Sequence, residues 1–227
     1  IFVQDTVNKY LARGSRFRVD AEVVRDTALS ISGLLVDQLG GKSVLPYQPA
    51  GLWQEVGYGG NFTAQVFKQD EGAGLYRRSM YTFWKRTSPP PSMMIFDAPN
   101  RETCSVSRSR SNTPLQALTL MNDPQFVEAA RALGQRMLED GGTTVAERID
   151  FAFQLATARH PSERELTILS DNYHAQIKAY QADKSPFSEL LEIGDSPFNA
   201  ELDTRGLAAW SVVASMILNL DETITRS

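Results

Sequence analysis

The sequence predicts a mainly α fold, a helical bundle or an orthogonal helical array that carries one long, ordered loop rich in proline and arginine. Two Ser/Thr-x-x-Glu capping boxes and three prolines at helix starts indicate where helices begin. Apolar residues then recur at helical spacing, the pattern of a helix with one buried face. The 227 residues, 42% of them hydrophobic, suffice to bury a sizeable core. We therefore predict a single helical domain over residues 1–227.

The first predicted helix covers residues 20–38. Asp20 is suited to the N-cap, and apolar residues follow it at helical spacing. Gly40 and Gly41 are predicted to end the helix, because glycine readily adopts the left-handed backbone conformation of a helix C-terminus. Residues 46–60 contain two prolines and four glycines, and they predict a single helical turn between loops.

Residues 75–86 carry two conflicting patterns. Their aromatic and methionine side chains fit one face of a helix, whereas the run Tyr-Thr-Phe-Trp favours a strand by propensity. We predict a helix and keep the strand as the alternative. Pro89, Pro90 and Pro91 end this element, since proline lacks the amide proton and restricts the residue before it. From there to Ser111 the chain has no hydrophobic period, which predicts an extended, ordered loop.

The remaining helices are predicted from their start signals, which are prolines at first helical positions and the capping boxes Thr144–Glu147 and Ser162–Glu165. The predicted spans are residues 114 to about 120, 123 to 141, 144 to 158, 162 to about 182, 185 to 193, and 203 or 204 to about 219.

The composition excludes several classes of site. One cysteine permits no intrachain disulfide and no Cys-rich zinc site, and two histidines leave little for a His-based metal site. Without a run of 18 apolar residues, the sequence predicts no membrane-spanning helix. The run Gly41-Lys42-Ser43 lacks the upstream glycine of a phosphate-binding loop, and residues 57–60 lack the third glycine of a dinucleotide fingerprint. Without a Cys-x-x-Cys-His motif, we predict no haem attachment in this chain.

The charge of the chain is unevenly distributed. From Arg77 to Arg110 seven residues are basic and two are acidic, so this basic segment carries +5; the whole chain carries −4, which leaves −9 for the remainder. Six of the seven cations are arginines, which suit bidentate contact with carboxylate, phosphate or sulfate. The candidate ligand-binding residues are Arg77, Arg78, Trp84, Arg86, Asn100, Arg101, Arg108, Arg110 and Asn112.

Two interpretations of the basic segment compete. In the first, the arginines pair with acidic groups of the helical core and hold a long loop in place. In the second, they form an anion-binding surface for a polyanion or a substrate carboxylate. Nucleic acid is disfavoured as the partner, because the chain is acidic overall and has no recognised nucleic-acid-binding module.

Two kinds of chemistry are weaker candidates for the same segment. Asp97 and Glu102 are candidate catalytic carboxylates, as glycoside hydrolysis requires a pair of carboxyl groups about 5–10 Å apart. Cys104, with Met93 and Met94 nearby in sequence, is a candidate soft-metal ligand. A quiet, partly buried thiol is the alternative for Cys104, and we favour it because neither histidine is close in sequence.

Several stretches of the chain together resemble one known family. They are residues 17–26, 32–35, 47–53, 75–91, 97–104, 112–118, 122–126 and 218–223. In these stretches the sequence is similar to the C-terminal domain of unknown function number 1553, found in large planctomycete-type proteins associated with cytochromes. The longest run, from Leu75 to Phe126, is highly specific.

The resemblance implies an exported or periplasmic multidomain protein, in which a cytochrome-c-like region with its haem precedes this domain. The chain begins Ile-Phe-Val-Gln-Asp, without methionine or a signal segment, which predicts a piece of a longer protein that lacks the N-terminal part of the domain. The family supplies no established activity for any residue. We expect an accessory or binding domain that engages its own upstream domains or an anionic polysaccharide; the alternative is a catalytic domain acting on polysaccharide through residues 97–112.

Overall fold

The computed structural model describes residues 5–55, 66–182 and 187–226, and helices dominate these ranges. The helices are α1 (Ala21–Ser32), α2 (Leu52–Glu55), α3 (Pro91–Ile95), α4 (Pro114–Asn122), α5 (Pro124–Glu139), α6 (Val145–Thr157), α7 (Glu163–Gln181), α8 (Phe187–Leu191), α9 (Thr204–Leu218) and α10 (Asp221–Ile224). One short antiparallel ribbon pairs β1 (Phe17–Arg18) with β2 (Thr225–Arg226), and Phe17 lies opposite Arg226. The predicted mainly α class is confirmed.

The core is organised around α5 and α9, which pack along each other. Leu133 and Met137 of α5 and Trp210 of α9 are completely buried in it. The ring of Tyr173, on α7, stacks on the indole of Trp210 with 4.1 Å between ring centroids. Each large apolar side chain buried in this way contributes about 1.5–3 kcal/mol to folding. The α5–α9 pair is therefore the scaffold on which the other elements are arranged.

The predicted start signals are confirmed from α4 through α7 and at α9. In the first capping box, Thr144 Oγ1 accepts from the amide of Glu147, and the Glu147 carboxylate accepts from the amide of Thr144 at 2.9 Å. Ser162 opens α7 with the same reciprocal pair. Asp203 caps α9 by accepting from the amide of Gly206 at 3.1 Å. These local bonds satisfy amides that have no partner inside the helix.

The predicted end of the first helix is wrong. The helix ends at Ser32, and Gly33, with φ of 80°, takes the left-handed position after it. The amide of Leu34 then bonds to the carbonyl of Leu29 at 2.9 Å, and the amide of Gly33 bonds to that of Ser30 at 3.1 Å. This pattern closes the helix about two turns before Gly40, because it satisfies the last free carbonyls.

The predicted helix over residues 75–86 is also wrong. The region forms two 3-10 turns, Gly72–Tyr76 and Ser79–Tyr81, with extended residues around them. Val36 bridges to Arg77 and Val44 to Thr82, so backbone pairing with distant residues replaces helical bonds. The alternative, a regular strand, is not formed either, because each bridge is isolated.

The loop predicted between the three prolines and Ser111 is interrupted by α3, which begins with Pro91 at its first helical position. Proline fits there because its missing amide proton would have no partner anyway. The remainder of that stretch, up to Ser111, is irregular. The predicted start of α8 at Ser185 and the glycine motif at residues 57–60 lie outside the described residues.

Replacing Gly134 with alanine is expected to lower the free energy of unfolding by about 1–3 kcal/mol, as for other overpacked cores. A Cβ atom at this position of α5 would lie 2.9 Å from the backbone nitrogen of Ser211 in α9. Backbone atoms cannot rotate away, so the two helices must separate. Urea denaturation measures the loss. Ala175→Leu, at an exposed position of α7, is the control and should change stability by less than about 0.5 kcal/mol; equal effects of the two changes would contradict the close packing.

Candidate functional site

The loop that follows α3 lies against the N-terminal end of α1 and the strand β1. The guanidinium of Arg18, on β1, is buried and donates to the carboxylate of Asp97, the carbonyl of Ser111 and the side-chain oxygen of Gln116. The side-chain nitrogen Nε2 of Gln116 donates in turn to the carbonyl of Ile95 at 2.9 Å. One buried cation therefore ties together both ends of the loop and the start of α4.

Asp97 is the anchor at the start of this loop. Its carboxylate accepts from the amide and the hydroxyl of Ser111, each at 2.8 Å, in addition to Arg18. Burial alone would raise the pKa of Asp97, but the hydrogen bonds from Ser111 and Arg18 outweigh it and hold the pKa below its usual range. Its backbone is left-handed, with φ of 61°, and it closes α3 as Gly33 closes α1. Asp97 therefore links the start of the loop to its far end at Ser111 and to β1.

Two arginines of the basic segment bond to the chain that precedes it, Arg77 from a buried position and Arg78 from an exposed one. Arg77 is buried and donates to the carbonyls of Lys42 at 2.9 Å and Gln38 at 3.0 Å, with its guanidinium 3.9 Å from the centroid of the Tyr81 ring. Arg78 pairs with Asp26 of α1 at 3.3 Å. Both residues attach the 3-10 turns to the preceding chain, Arg78 through a carboxylate as the first interpretation expects, and Arg77 through backbone carbonyls instead.

Arg108 fixes the far part of the loop to α1. Its two terminal nitrogens donate to the two carboxylate oxygens of Glu22, at 2.7 and 3.2 Å, and Asp20 lies at 3.5 Å. Burial raises the pKa of Glu22, but Arg108 and, from farther away, Arg101 lower it, so the net pKa is below the usual value. Arg101 and Arg108 therefore act on the same carboxylate across the loop.

Three further arginines are exposed, and two of them are stacked on aromatic rings. The guanidinium carbon of Arg101 lies 4.4 Å from the centroid of the Trp84 ring, and that of Arg110 lies 4.9 Å from the Phe17 ring. Arg86 is exposed as well. Within the described ranges none of the three has a carboxylate within 4 Å. We call Arg101 with Trp84, and Arg110 with Phe17, the stacked arginines.

The remaining candidates lie around the stacked arginines without converging on one point. Trp84 donates from Nε1 to the carbonyl of Asn100 at 3.1 Å, and the side chain of Asn100 accepts from the amide of Glu102 at 3.1 Å. Glu102 and Asn112 are exposed. Glu102 is therefore in solvent while Asp97 is bound in the loop, so the two carboxylates occupy unlike environments.

The thiol of Cys104 and the two methionines near it in sequence differ in their exposure to solvent. Cys104 is exposed, so the expectation of a partly buried thiol is wrong. Met93 is buried in the core, whereas Met94 is 37% exposed. In the part of the chain that the structure describes, no three His, Cys, Asp or Glu side chains are grouped as metal ligands.

A second polar cluster lies away from the loop, around Glu128 of α5. One carboxylate oxygen accepts from the hydroxyl of Tyr76 and from the amides of Asp195 and Ser196, at 2.8, 2.8 and 2.6 Å. The amide of Asp195 also donates to the hydroxyl of Tyr47 at 2.8 Å. Burial and the nearby Glu128 raise the pKa of Tyr47 to about 12 and raise that of Tyr76 further, so both phenols keep their protons.

The sequence predicted neither the Phe17 ring on which Arg110 stacks nor the polar cluster around Glu128. Phe17 lies 93 positions before Arg110 in the chain, and only the alternation Arg16-Phe17-Arg18 of a short strand hinted at an exposed ring. Glu128 falls on a face of α5 that the helical period assigns to the core. A charged residue at a core position is itself a signal, because such a group is buried only with partners.

Comparison with known proteins gives one match. A family model described as "Protein of unknown function (DUF1553)", PSD1, matches residues 2–173. No curated protein and no solved structure matches the chain. Among residues 5–55, 66–182 and 187–226, every helix is too short or too polar to span a bilayer.

Proposed function

The chain belongs to the DUF1553 family, and for this member we propose a binding role, in which the stacked arginines hold an acidic polysaccharide. The observation that carries the proposal is the division of the basic segment into two groups. One group already bonds to carbonyls and carboxylates of the fold, and it consists of Arg77, Arg78 and Arg108. Arg101 and Arg110 have their planar faces against aromatic rings and no carboxylate within 4 Å in the described ranges.

Stacking prepares a guanidinium for anion binding. A ring holds the flat face of the group, so the side chain loses less freedom when it binds. The N–H edge remains in solvent and can donate two parallel hydrogen bonds to a carboxylate or sulfate. Phe17 is exposed and Trp84 is half-buried against the core, so each ring leaves some apolar surface beside its cation, as a sugar ring requires.

The proposed setting is an accessory domain of an exported protein associated with a cytochrome, by the family resemblance. An extracellular setting suits this ligand class, since acidic polysaccharides are polymers of the cell surface. In such a protein the upstream domains supply any haem, and this chain supplies attachment to the polymer.

The test is binding of the purified chain to dextran sulfate, polygalacturonate and neutral dextran, measured across salt concentrations. We expect binding to the two acidic polymers that weakens as salt rises, and none to dextran. The double variant Arg101→Gln/Arg110→Gln should weaken binding at least tenfold, because one hydrogen bond to a charged group contributes about 1.5–3 kcal/mol.

The matched control is Arg164→Gln/Arg205→Gln, which removes the same charge from exposed positions of α7 and α9. Arg205 also lies over an aromatic ring, that of Phe187, at 5.8 Å. An equal loss in both double variants would mean that net charge alone causes binding, and the stacked arginines would then have no special role. Undiminished binding by the loop variant would contradict the proposal directly.

A further inference from the structure

A cavity of about 290 Å³ lies between the end of α1, the middle of α5 and residues 196–198. Its lining includes Gly33, Leu34, Arg131, Arg136, Ser196 and Phe198. Two of the lining side chains are arginines, and none is Asp or Glu. The cavity is on a different set of elements from the stacked arginines: Arg101 and Arg110 lie in the loop after α3, and their rings lie before α3 and on β1.

Arg131 is the buried cation of this cavity, with only 3% of its side chain exposed. One terminal nitrogen donates to the carbonyl and the hydroxyl of Ser196, at 2.6 and 2.8 Å. Its Nε is buried and has no partner within the described residues. Oε1 of Glu128 lies 3.6 Å from the terminal nitrogen that bonds Ser196, and it already accepts three hydrogen bonds. An unpartnered N–H of a buried cation is costly unless an acceptor reaches it.

Arg136 is the second cation and lies at the mouth of the cavity, 30% exposed. One of its terminal nitrogens donates to the carbonyl of Ile31 at the end of α1. Gly33 makes room for it, since a Cβ atom there would lie 3.3 Å from Cδ of Arg136. The nearest carboxylate, of Asp140, is exposed and 3.8 Å away, which leaves the charge of Arg136 weakly compensated.

We infer that this cavity binds a small organic anion, in which a carboxylate or phosphate group lies between Arg131 and Arg136 and a compact apolar body contacts Leu34 and Phe198. The volume supports a small ligand, because it is at the lower end of the range for small-molecule sites. Two guanidinium groups from one helix supply the charge and the directed donors that an oxyanion requires.

The probes are benzoate and phenyl phosphate, with neutral benzamide and inorganic phosphate as comparisons, measured by calorimetry and thermal shift on the full chain. Benzoate or phenyl phosphate should bind at millimolar concentration or below, benzamide should not bind, and inorganic phosphate should bind more weakly than phenyl phosphate. Arg136→Gln should weaken the binding of the organic anions at least tenfold.

Ala132→Leu is a second variant, which fills the cavity from its lining without removing a charge, and it should weaken binding as well. Arg164→Gln is the charge control on α7 and should bind as the unmodified chain does. The double variant Arg101→Gln/Arg110→Gln should also retain small-anion binding, which separates this site from the proposed polysaccharide face. No binding of either organic anion, equal binding of benzamide, or binding unchanged in both cavity variants would overturn the inference.

Discussion

Replacing Glu128 with alanine is expected to lower the free energy of unfolding by about 3–5 kcal/mol, the range for breaking a buried ion pair on one side. Glu128 is 1% exposed, and Arg131 lies 3.6 Å from its carboxylate. The alanine variant leaves this cation without a counter-charge. It also leaves the hydroxyl of Tyr76 and the amides of Asp195 and Ser196 without their acceptor.

The backbone around Glu128 leaves no room for an alternative arrangement. Gly194 has a φ of 95°, and a Cβ atom there would lie 2.3 Å from the carboxyl carbon of Glu128. The segment that precedes α9 is therefore folded closely around this one side chain. In Glu128→Ala a void lined by polar groups is left. The segment cannot fill this void, because its backbone is held at Gly194.

Urea denaturation followed by circular dichroism measures the effect of Glu128→Ala. The stability of Glu128→Gln should lie between those of the unmodified chain and of Glu128→Ala. The amide oxygen of glutamine still accepts hydrogen bonds, but it carries no charge to balance Arg131. The control is Glu192→Ala, which removes an exposed carboxylate two residues before Gly194. It should lower the free energy of unfolding by less than about 0.5 kcal/mol. A loss below about 1 kcal/mol in Glu128→Ala would show that the cluster is not essential to the fold.

The sequence predicted the elements whose signals are local. A capping box or a proline at the first helical position needs only residues within four positions, and α4 to α7 and α9 begin where these signals stand. The same locality explains why Asp97 and the exposed arginines could be named as candidates. Their residue types and charges are visible without knowledge of the fold.

What the sequence could not predict depends on contacts between distant residues. The bridge of Val36 to Arg77 determines the chain path after α1, and neither residue carries a sign of the other. Tertiary contacts also decide which arginines bond to other parts of the fold and which do not. Arg108 reaches Glu22 and Arg110 reaches Phe17, although the two arginines are only two positions apart.

Replacing Asp97 with alanine is expected to cost about 3–5 kcal/mol as well, because it leaves the guanidinium of Arg18 buried without its carboxylate. The side chain of Arg18 is only 7% exposed and that of Asp97 18%, so the pair is largely shielded from water. Alanine also fits the left-handed backbone at φ 61° less well than aspartate, which adds to the loss. The variant should therefore release the start of the loop and weaken acidic-polysaccharide binding.

Asp97→Asn separates charge from backbone, since asparagine adopts the left-handed conformation as readily but carries no charge. In the unmodified chain, Asp97 has a pKa below its usual 3.8, so its contribution is complete above that pH and is lost as pH falls through the lowered value. Asp97→Asn should lose stability at neutral pH and show a flatter decline toward acid. Thermal unfolding from neutral to acid pH measures both effects.

Glu102→Ala is the control for Asp97, because it removes an exposed carboxylate from the same loop and should change stability by less than about 0.5 kcal/mol. The pair also distinguishes anchoring from catalysis. If Asp97 anchors the loop, Arg18→Ala should reproduce its loss of stability and its weakened polymer binding. If Asp97 and Glu102 were instead a catalytic pair, each single substitution would abolish turnover of an acidic polysaccharide while the fold remained as stable as before. The hydrogen bonds from Arg18 and Ser111 support the first outcome, because they lower the pKa of Asp97 and so move it away from the neutral range that suits a general acid or base.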